Sequence, residues 1–400
     1  MHKETVFIKK EAVNRYRHPG AESMTGKEKI EAAFSPEGTP EIPAVICYES
    51  IFIRDHWAKI TGVPWWNQFS PDIDTQLSWR REVIRSTGQD WFRLPYTLSR
   101  EERKNIDLEV RPEGVFRIDR RSGVSERLFE PPIGGEQQPG VRIVPWSAPE
   151  ETPEAIDRLI PLPAGQGKTI EDGSGDLAAR LLDELDGEIF PFCHVSSPLW
   201  RCYDLWGFEN MMVMIASQPE LVRHAAARYL DLSLHDVRQA AALGARGIWI
   251  EECMTDMISP DAFASLNLPF LRRLIEEISA CGMKSVYYYC GSPAGKWELL
   301  LATGADALSL EEGKKGFEID IMNVAAKVRG RCAILGNLDS IWVLQNGSEQ
   351  ELRAEIRRQI AAGSANRNRF IMSIGSPVTP ATPVERVRLY CDIVHEMGKR

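Results

Sequence analysis

The sequence has 400 residues, of which 43% are hydrophobic and 26% are charged, and its formal net charge is -9. This composition is ordinary for a folded protein with a large core and excludes a disordered chain. The lysines and arginines are dispersed, and no apolar run approaches the roughly eighteen residues of a membrane span, so neither a nucleic acid nor a membrane is an expected partner.

The cysteines and the first residues favour a cytoplasmic location. The 8 cysteines are scattered along the chain, without a C-x-x-C pair or the dense spacing of a secreted disulfide framework. The segment MHKETVFIKKEAVNRYRHPG is polar and has no apolar leader region. We therefore predict a reduced, cytoplasmic protein.

The order of apolar and amphipathic segments predicts an α/β fold. Residues 1–40 are expected to form an N-terminal arm on the surface, with a short helix at GKEKIEAAF. From residue 41 onward, short apolar runs alternate with segments of helical period, which is typical of parallel strands joined by crossover helices. The runs predicted to be strands are 42–47, 90–95, 188–195, 247–253, 284–290, 306–312, 332–337 and 369–376. Eight parallel strands close a (β/α)8 TIM barrel, so residues 41–400 are predicted to form one barrel domain.

Two local patterns refine this prediction. Ser259 followed by Pro260 is typical of a helix start, and Gly282 suits a helix end. The segment at about 96–160 breaks the alternation, and DLEVRPEGVFRID and SERLFEPP on either side of RRSG favour a β-hairpin inserted after the second strand. This insertion could serve as a lid over the site or as a structural cap.

The predicted strand ends are unusually polar. Ligands of TIM barrels meet the C-terminal ends of the strands. Those ends carry Cys47, Tyr48, Glu49, Cys193, His194, Glu251, Glu252, Cys253, Tyr288, Tyr289, Cys290, Glu311, Glu312, Asn337, Asp339, Gly375 and Ser376. Because alternate residues of a strand face opposite sides, one glutamate of each pair is expected in the lumen.

These residues suggest a metal site. Glu252, Cys290 and Glu311 are predicted to bind zinc, with a fourth position open to water or substrate. In the alternative interpretation the acids pair with lysines such as Lys314 and Lys315, or cap helices. The residues predicted to act in catalysis are Tyr288, Glu252 and Glu311, and those predicted to contact substrate are Tyr48, Glu49, His194, Asn337, Asp339 and Ser376.

Three segments resemble the superfamily of uroporphyrinogen decarboxylases and cobalamin-dependent methyltransferases. They are CAILGNLDS, FIMSIGSPVTPATPVERVRLYCDIV and YYYCGSPAGKWELLLATGADALSLEE, and the resemblance covers about 284–395 and, more loosely, extends back to about 187. Uroporphyrinogen decarboxylases carry an arginine-rich M-R-Q-A-G-R-Y motif, whereas this chain has ICYESIFIRDHW near the equivalent strand. The resemblance therefore implies the barrel fold but disfavours decarboxylation of the tetrapyrrole.

The methyltransferase branch is the closer resemblance. Coenzyme M methyltransferases have a zinc motif H-x-C and a later cysteine, and here those positions are Tyr288, Cys290 and Ser376. The segments WIEECMTDMISP and SLEEGKKGFEID resemble the methyltransferases of anaerobic O-demethylase systems. This implies an enzyme that moves a methyl group from a methoxylated compound, expected to be aromatic, to a corrinoid cobalt, with Tyr288 or zinc assisting the leaving oxygen.

The expected partners follow from the same resemblance. The sequence has no D-x-H-x-x-G cobalamin motif, so the corrinoid (cobalamin) is expected on a separate carrier protein. A homodimer is compatible with the sequence. The alternatives are methyl transfer from a methylcorrinoid to a thiol, decarboxylation of a smaller acid, and a binding protein without catalysis.

Overall fold

The structure is a computed structural model that describes residues 23–134, 152–162, 171–185, 187–313 and 316–399. The strands are β1 (Trp91–Arg93), β2 (Ile106–Arg111), β3 (Gly114–Asp119), β4 (Val124–Leu128), β5 (Phe190–Ser196), β6 (Gly247–Glu252), β7 (Lys284–Tyr289), β8 (Ala307–Leu310), β9 (Ala333–Leu335) and β10 (Phe370–Ile371). The α-helices are α1 (Gly26–Phe34), α2 (Glu49–Ile60), α3 (Ile73–Thr87), α4 (Arg100–Asn105), α5 (Pro153–Leu159), α6 (Asp176–Leu185), α7 (Pro198–Ser217), α8 (Pro219–Leu243), α9 (Pro260–Leu266), α10 (Leu268–Ala280), α11 (Trp297–Leu301), α12 (Ile321–Val328), α13 (Glu349–Ala365) and α14 (Val384–Met397). Short 3-10 turns lie at Trp65–Phe69 and Thr255–Met257, and a π-helix lies at Ser340–Gln345.

Seven of the strands form one parallel sheet in the order β1-β5-β6-β7-β8-β9-β10. Helices follow the strands along the chain, which gives an α/β fold of the TIM-barrel type. The predicted helix signals after β6 are found as expected: the Ser259 side chain caps α9 by accepting the backbone N–H of Ala262, and Pro260 is the first helical residue. Gly282 follows α10 with a φ of 75°. Within the described residues, every helix is too short or too polar to span a lipid bilayer.

The predicted first strand is reduced to a single bridge. Of residues 42–47, only Ala44 forms a β-bridge, which is parallel to Met372. Pro43 has no N–H to donate, so regular ladder pairing is interrupted there. The segment still lies between the two sheet edges: the Val45 N–H donates to Met372 O at 2.9 Å, and the Asp90 N–H donates to Ala44 O at 2.8 Å.

The described part of the predicted N-terminal arm packs against the sheet. A capping box of Thr25 and Glu28 starts α1. Ile30 and Phe34 are fully or almost fully buried, and the ring of Phe34 lies 6.1 Å from that of Phe190 in β5. For residues 24–34 the expectation of a surface arm is therefore wrong, because the apolar face of this helix covers the N-terminal end of the sheet. Residues 1–22 lie outside the described part of the chain.

The segment predicted as an insertion contains a separate sheet. β2, β3 and β4 pair antiparallel in sequence order, and the turn between β3 and β4 falls at RRSG. The described part of 96–160 also includes α4 and α5, while residues 135–151 lie outside it. This small sheet follows β1 and so leaves the parallel sheet on the side where the strands end.

Candidate functional site

The C-terminal end of the parallel sheet carries aligned side chains on its inner face. In the strand register His194 lies beside Trp249, and Glu251 lies beside Ser196 and Tyr288. Residues in register on neighbouring parallel strands share a face of the sheet. The Trp249 Nε1–H donates to Glu251 Oε2 at 2.8 Å, which confirms that these two side chains point the same way.

Aromatic rings form the floor of this site. Trp249 is stacked between His194, at 5.9 Å between ring centroids, and Tyr288, at 5.0 Å. Trp91 stacks on Phe192 at 4.3 Å and meets Trp249 edge-on. The inner face is therefore filled by rings below the strand ends, and a flat aromatic molecule is the kind of ligand such a floor favours.

Tyr48 and Glu251 form the central polar contact. The Tyr48 hydroxyl donates to Glu251 Oε1 at 2.6 Å, while its ring lies edge-on to Tyr288 at 5.5 Å. Tyr48 has a φ of 56°, a left-handed conformation that costs energy in a residue other than glycine. This backbone turn at the start of α2 aims the phenol across the site. Burial, then the neighbouring Tyr288 and Glu251, raise the pKa of Tyr48 far above its usual value, so the phenol keeps its proton.

Two thiols lie beside the carboxylate. Cys253 Sγ is 3.5 Å from Glu251 Oε1. A hydrogen bond with Cys290, followed by burial, raises the pKa of Cys253 well above its usual range. A thiolate nucleophile is therefore disfavoured at Cys253, and the site presents a carboxylate surrounded by O–H, N–H and S–H groups.

Glu252, predicted to be catalytic and a zinc ligand, faces the opposite side of the sheet. Its side chain is completely buried and accepts a hydrogen bond from Asn267 Nδ2 at 2.7 Å, next to Tyr287 at 3.4 Å. Burial raises the pKa of Glu252 to about 8, although hydrogen bonds from Asn267, Ser197 and Tyr287 act to lower it. The expectation that Glu252 faces the lumen is wrong, because Trp249 fixes odd-numbered residues of β6 on the inner face.

The predicted zinc ligands are consequently not brought together. Glu311 lies near the strand end of Cys290, since its Oε2 accepts the backbone N–H of Gly291 at 3.0 Å, but Glu252 is on the other face. In the described ranges, no group of three or more His, Cys, Asp or Glu side chains is placed to hold a metal ion. The donor set predicted from the sequence does not fit a zinc ion. Lys314 and Lys315 lie outside the described residues.

Three other predicted residues are engaged in structural hydrogen bonds. Asn337 Nδ2 donates to Ile319 O at 2.7 Å. Asp339 caps the π-helix by accepting the N–H of Ile341 at 2.8 Å. The Ser376 hydroxyl donates to Glu312 Oε2 at 2.6 Å. Contact of Asn337, Asp339 and Ser376 with a substrate stays a prediction, and the bond of Ser376 to Glu312 joins the segments that follow β10 and β8.

Glu49 and His194 lie close to an arginine. The Glu49 carboxylate is buried and accepts from Gln89 Nε2 at 2.6 Å and from the Arg93 N–H at 3.3 Å. Burial raises the pKa of Glu49 to about 7, although the hydrogen bond and charge of Arg93 and the charge of Arg80 oppose the shift. Burial, and then Arg93, lower the pKa of His194 to about 3, so its imidazole is neutral at physiological pH.

The sequence analysis left three central residues without a role. Glu251 and Cys253 were noted only as strand-end residues, and Trp249 was not singled out. The sequence does contain a pattern that points to Glu251: a tryptophan two positions before a glutamate lies on the same face of any strand. A buried tryptophan needs a partner for its N–H, and Glu251 provides it.

Three comparisons place the chain among known proteins. Residues 148–397 match the family model of uroporphyrinogen decarboxylase (URO-D). A uroporphyrinogen decarboxylase of Xanthomonas euvesicatoria is 24% identical over 231 residues, which is 54% of this chain and 63% of the relative. That of Solibacter usitatus is 25% identical over 189 residues, covering 47% of this chain and 52% of the relative. The chain thus matches less than two thirds of the length of these relatives.

A solved structure resembles almost the whole chain. A methyltransferase from Methanosarcina mazei superimposes with a TM-score of 0.65 at 16% sequence identity, covering 94% of this chain and 99% of the other. At this identity the likeness concerns the fold. Because the family model spans more than half of the sequence, the chain belongs to the uroporphyrinogen decarboxylase (URO-D) family.

Proposed function

We propose that this protein is a methyltransferase that moves a methyl group from a methoxylated aromatic compound to the cobalt of a separate corrinoid protein. The observation that carries the proposal is the short hydrogen bond between Tyr48 and Glu251 above a floor of aromatic rings. The fold shared with a methyltransferase supports the reaction class. The aromatic floor suits the ring of an aryl ether.

The chemistry required of the protein is protonation of a leaving oxygen. When the methyl–oxygen bond breaks, its electron pair stays on the oxygen, which needs a proton. In the proposed step Glu251 takes up a proton from solvent and donates it to the Tyr48 oxygen 2.6 Å away, while the Tyr48 O–H proton passes to the leaving oxygen. This returns Glu251 to the carboxylate, which accepts hydrogen bonds from the Tyr48 hydroxyl and, at 2.8 Å, from the Trp249 N–H. The corrinoid supplies the cobalt nucleophile that takes the methyl group.

The remaining residues orient the substrate. The neutral His194 imidazole is stacked on Trp249 and extends the aromatic floor without adding a charge. Tyr288 closes the other side of the floor, and the Cys253 thiol, hydrogen-bonded to Cys290, borders the Glu251 carboxylate. The proposed transfer does not draw on zinc, since the expected ligands are split between the two faces of the sheet.

The proposal is tested with a matched pair of glutamate variants. Wild-type protein, a reduced corrinoid carrier and a panel of methoxyarenes are mixed, and methylcobalamin formation is followed by absorbance. Glu251→Gln should reduce the rate by about 100-fold, the lower range for loss of a general acid. Glu252→Gln, the adjacent residue on the outer face, should leave the rate within about twofold, a difference small enough to reflect packing alone. Absence of any methylcobalamin signal across the panel, or equal effects of the two substitutions, would contradict the proposal.

A further inference from the structure

A cavity of about 370 Å³ lies beside the end of β1. Its apolar wall includes Val83 and Ile84 of α3, Phe92 of β1 and Leu181 of α6. Phe92 alternates with Trp91, which faces Trp249, so the Phe92 wall is on the helix side of the sheet. Arg93, in contrast, follows Trp91 in the alternation, and its charge acts on His194. The volume of the cavity is at the lower end of the range of about 300–1,000 Å³ seen for small-molecule sites.

Two arginines line the same cavity. Arg80 of α3 lies over the ring of Trp79, with its guanidinium carbon 3.9 Å from the ring centroid, and it donates to Gln76 O at 3.2 Å. These contacts hold the guanidinium in place. Arg93 ends β1 and is exposed, and none of the carboxylates in the described ranges lies within 4.0 Å of its guanidinium nitrogens. Burial and the nearby charge of Arg93 lower the pKa of Arg80 to about 9, with Glu49 acting against them, so the Arg80 guanidinium stays cationic at neutral pH.

Glu49 is the carboxylate that lines this cavity together with them. It is buried, already accepts hydrogen bonds from Gln89 and from the Arg93 backbone, and its pKa is raised to about 7. One partly protonated carboxylate therefore faces two guanidinium groups. The polar end of the cavity carries net positive charge while its walls are apolar, a combination that suits an anion attached to an apolar body.

We propose that this cavity binds an organic monocarboxylate with a flat apolar body, whose carboxylate is held by Arg80 and Arg93. An arginine side chain offers paired N–H donors that match the two oxygens of a carboxylate. The apolar body lies against Phe92 and Leu181. The site is defined by its own residues and does not depend on the methyl transfer proposed above.

Calorimetric titration of the full-length chain tests the site with benzoate, with benzamide as a neutral molecule of the same shape, and with inorganic phosphate. Benzoate should bind at least about tenfold more tightly than benzamide or phosphate, as expected when hydrogen bonds to a charged group are lost. Arg93→Gln should weaken benzoate binding by about tenfold or more for the same reason. Arg273→Gln, which removes an exposed arginine of α10, should leave it unchanged.

Three outcomes would overturn the proposal: equal binding of benzoate and benzamide, tighter binding of phosphate than of benzoate, or equal affinities of Arg93→Gln and Arg273→Gln. Arg93 forms no ion pair with any residue that the structure describes, so its substitution should preserve the fold, which circular dichroism checks. Arg80→Gln is the second variant and should weaken benzoate in the same way. Because the readout is binding, its failure is distinguishable from a failure of the methyl-transfer assay.

Discussion

Asp90, at the start of β1, joins three parts of the chain and provides a quantitative test of the structure. It accepts the Ala44 N–H at 2.7 Å, Lys29 Nζ of α1 at 3.3 Å and His395 Nε2 of α14 at 2.7 Å. Burial alone would raise the pKa of Asp90, but the charges and hydrogen bonds of His395 and Lys29 outweigh it and lower the value from 3.8 to about 2. At about 1.4 kcal/mol per pKa unit, this difference corresponds to about 2.5 kcal/mol of folding stability.

The sign follows from the lowered pKa. An aspartate whose pKa is lower in the folded state contributes its full stability above the unfolded value of 3.8, and loses it as the pH falls towards about 2. Asp90→Asn removes the charge at nearly constant shape and leaves Lys29 and His395 without their carboxylate. We expect the free energy of unfolding to fall by about 3 kcal/mol at pH 7, the lower value for breaking a buried ion pair. The difference from wild type should shrink as the pH is lowered below 4.

Urea unfolding followed by tryptophan fluorescence at pH 7, 5 and 3 measures these values. Asp392→Asn is the matched control, because Asp392 pairs with Arg388 at 2.9 Å on the surface of α14 with 43% of its side chain exposed. This substitution should lower the free energy of unfolding by less than about 1 kcal/mol, which is typical of an exposed ion pair. A loss at Asp90 no larger than at Asp392, or a loss that does not change with pH, would refute the network as an electrostatic tie between α1, β1 and α14.

Three further predictions concern the strand ends. Glu252→Gln should make the stability depend less on pH. The pKa of the buried Glu252 is raised to about 8, so the wild type loses stability as the pH rises from 4.5 through 8. Unfolding midpoints of both proteins at pH 5 and 9 measure this difference. Gly291→Ala should destabilise the protein by about 1–3 kcal/mol in thermal unfolding, since φ is 105° and the added Cβ would lie 2.2 Å from Asp256. In the methylcobalamin assay, Tyr48→Phe should lower the rate by about 100-fold, and Tyr288→Phe, which keeps the stacked ring, by less than about tenfold.

The parallel strands could be predicted from the sequence because seven of the eight apolar runs overlap the strands of the sheet. The helix start at Ser259 and Pro260 could also be predicted, because a helix cap depends only on neighbouring residues in the sequence. The run at 42–47 was predicted to be a strand but forms only a single bridge, because Pro43 has no N–H to donate within an otherwise suitable segment. These successes and this failure all concern local patterns.

The site was predicted less well, because it depends on which face each residue occupies. To choose between Glu251 and Glu252, one must know which residues of β6 face the lumen. Trp249 indicates this only when its hydrogen bond to the Glu251 carboxylate is considered. Asp339 and Ser376 lie in the segments that follow β9 and β10, where Asp339 accepts from the backbone of the π-helix and Ser376 donates to the Glu312 carboxylate. The cavity of Arg80 and Arg93 could not be predicted, because a helix and a strand meet there only in three dimensions.

The stack of His194, Trp249 and Tyr288 has a practical consequence for studying this protein. An indole held face to face between two other rings, and edge-on to a second indole at Trp91, should give exciton-coupled bands in near-ultraviolet circular dichroism. An aromatic molecule settling on that stack would alter those bands and quench the emission of Trp249. Binding of candidate substrates can therefore be screened by the circular dichroism and fluorescence of the protein itself, without a label and before any reaction is known.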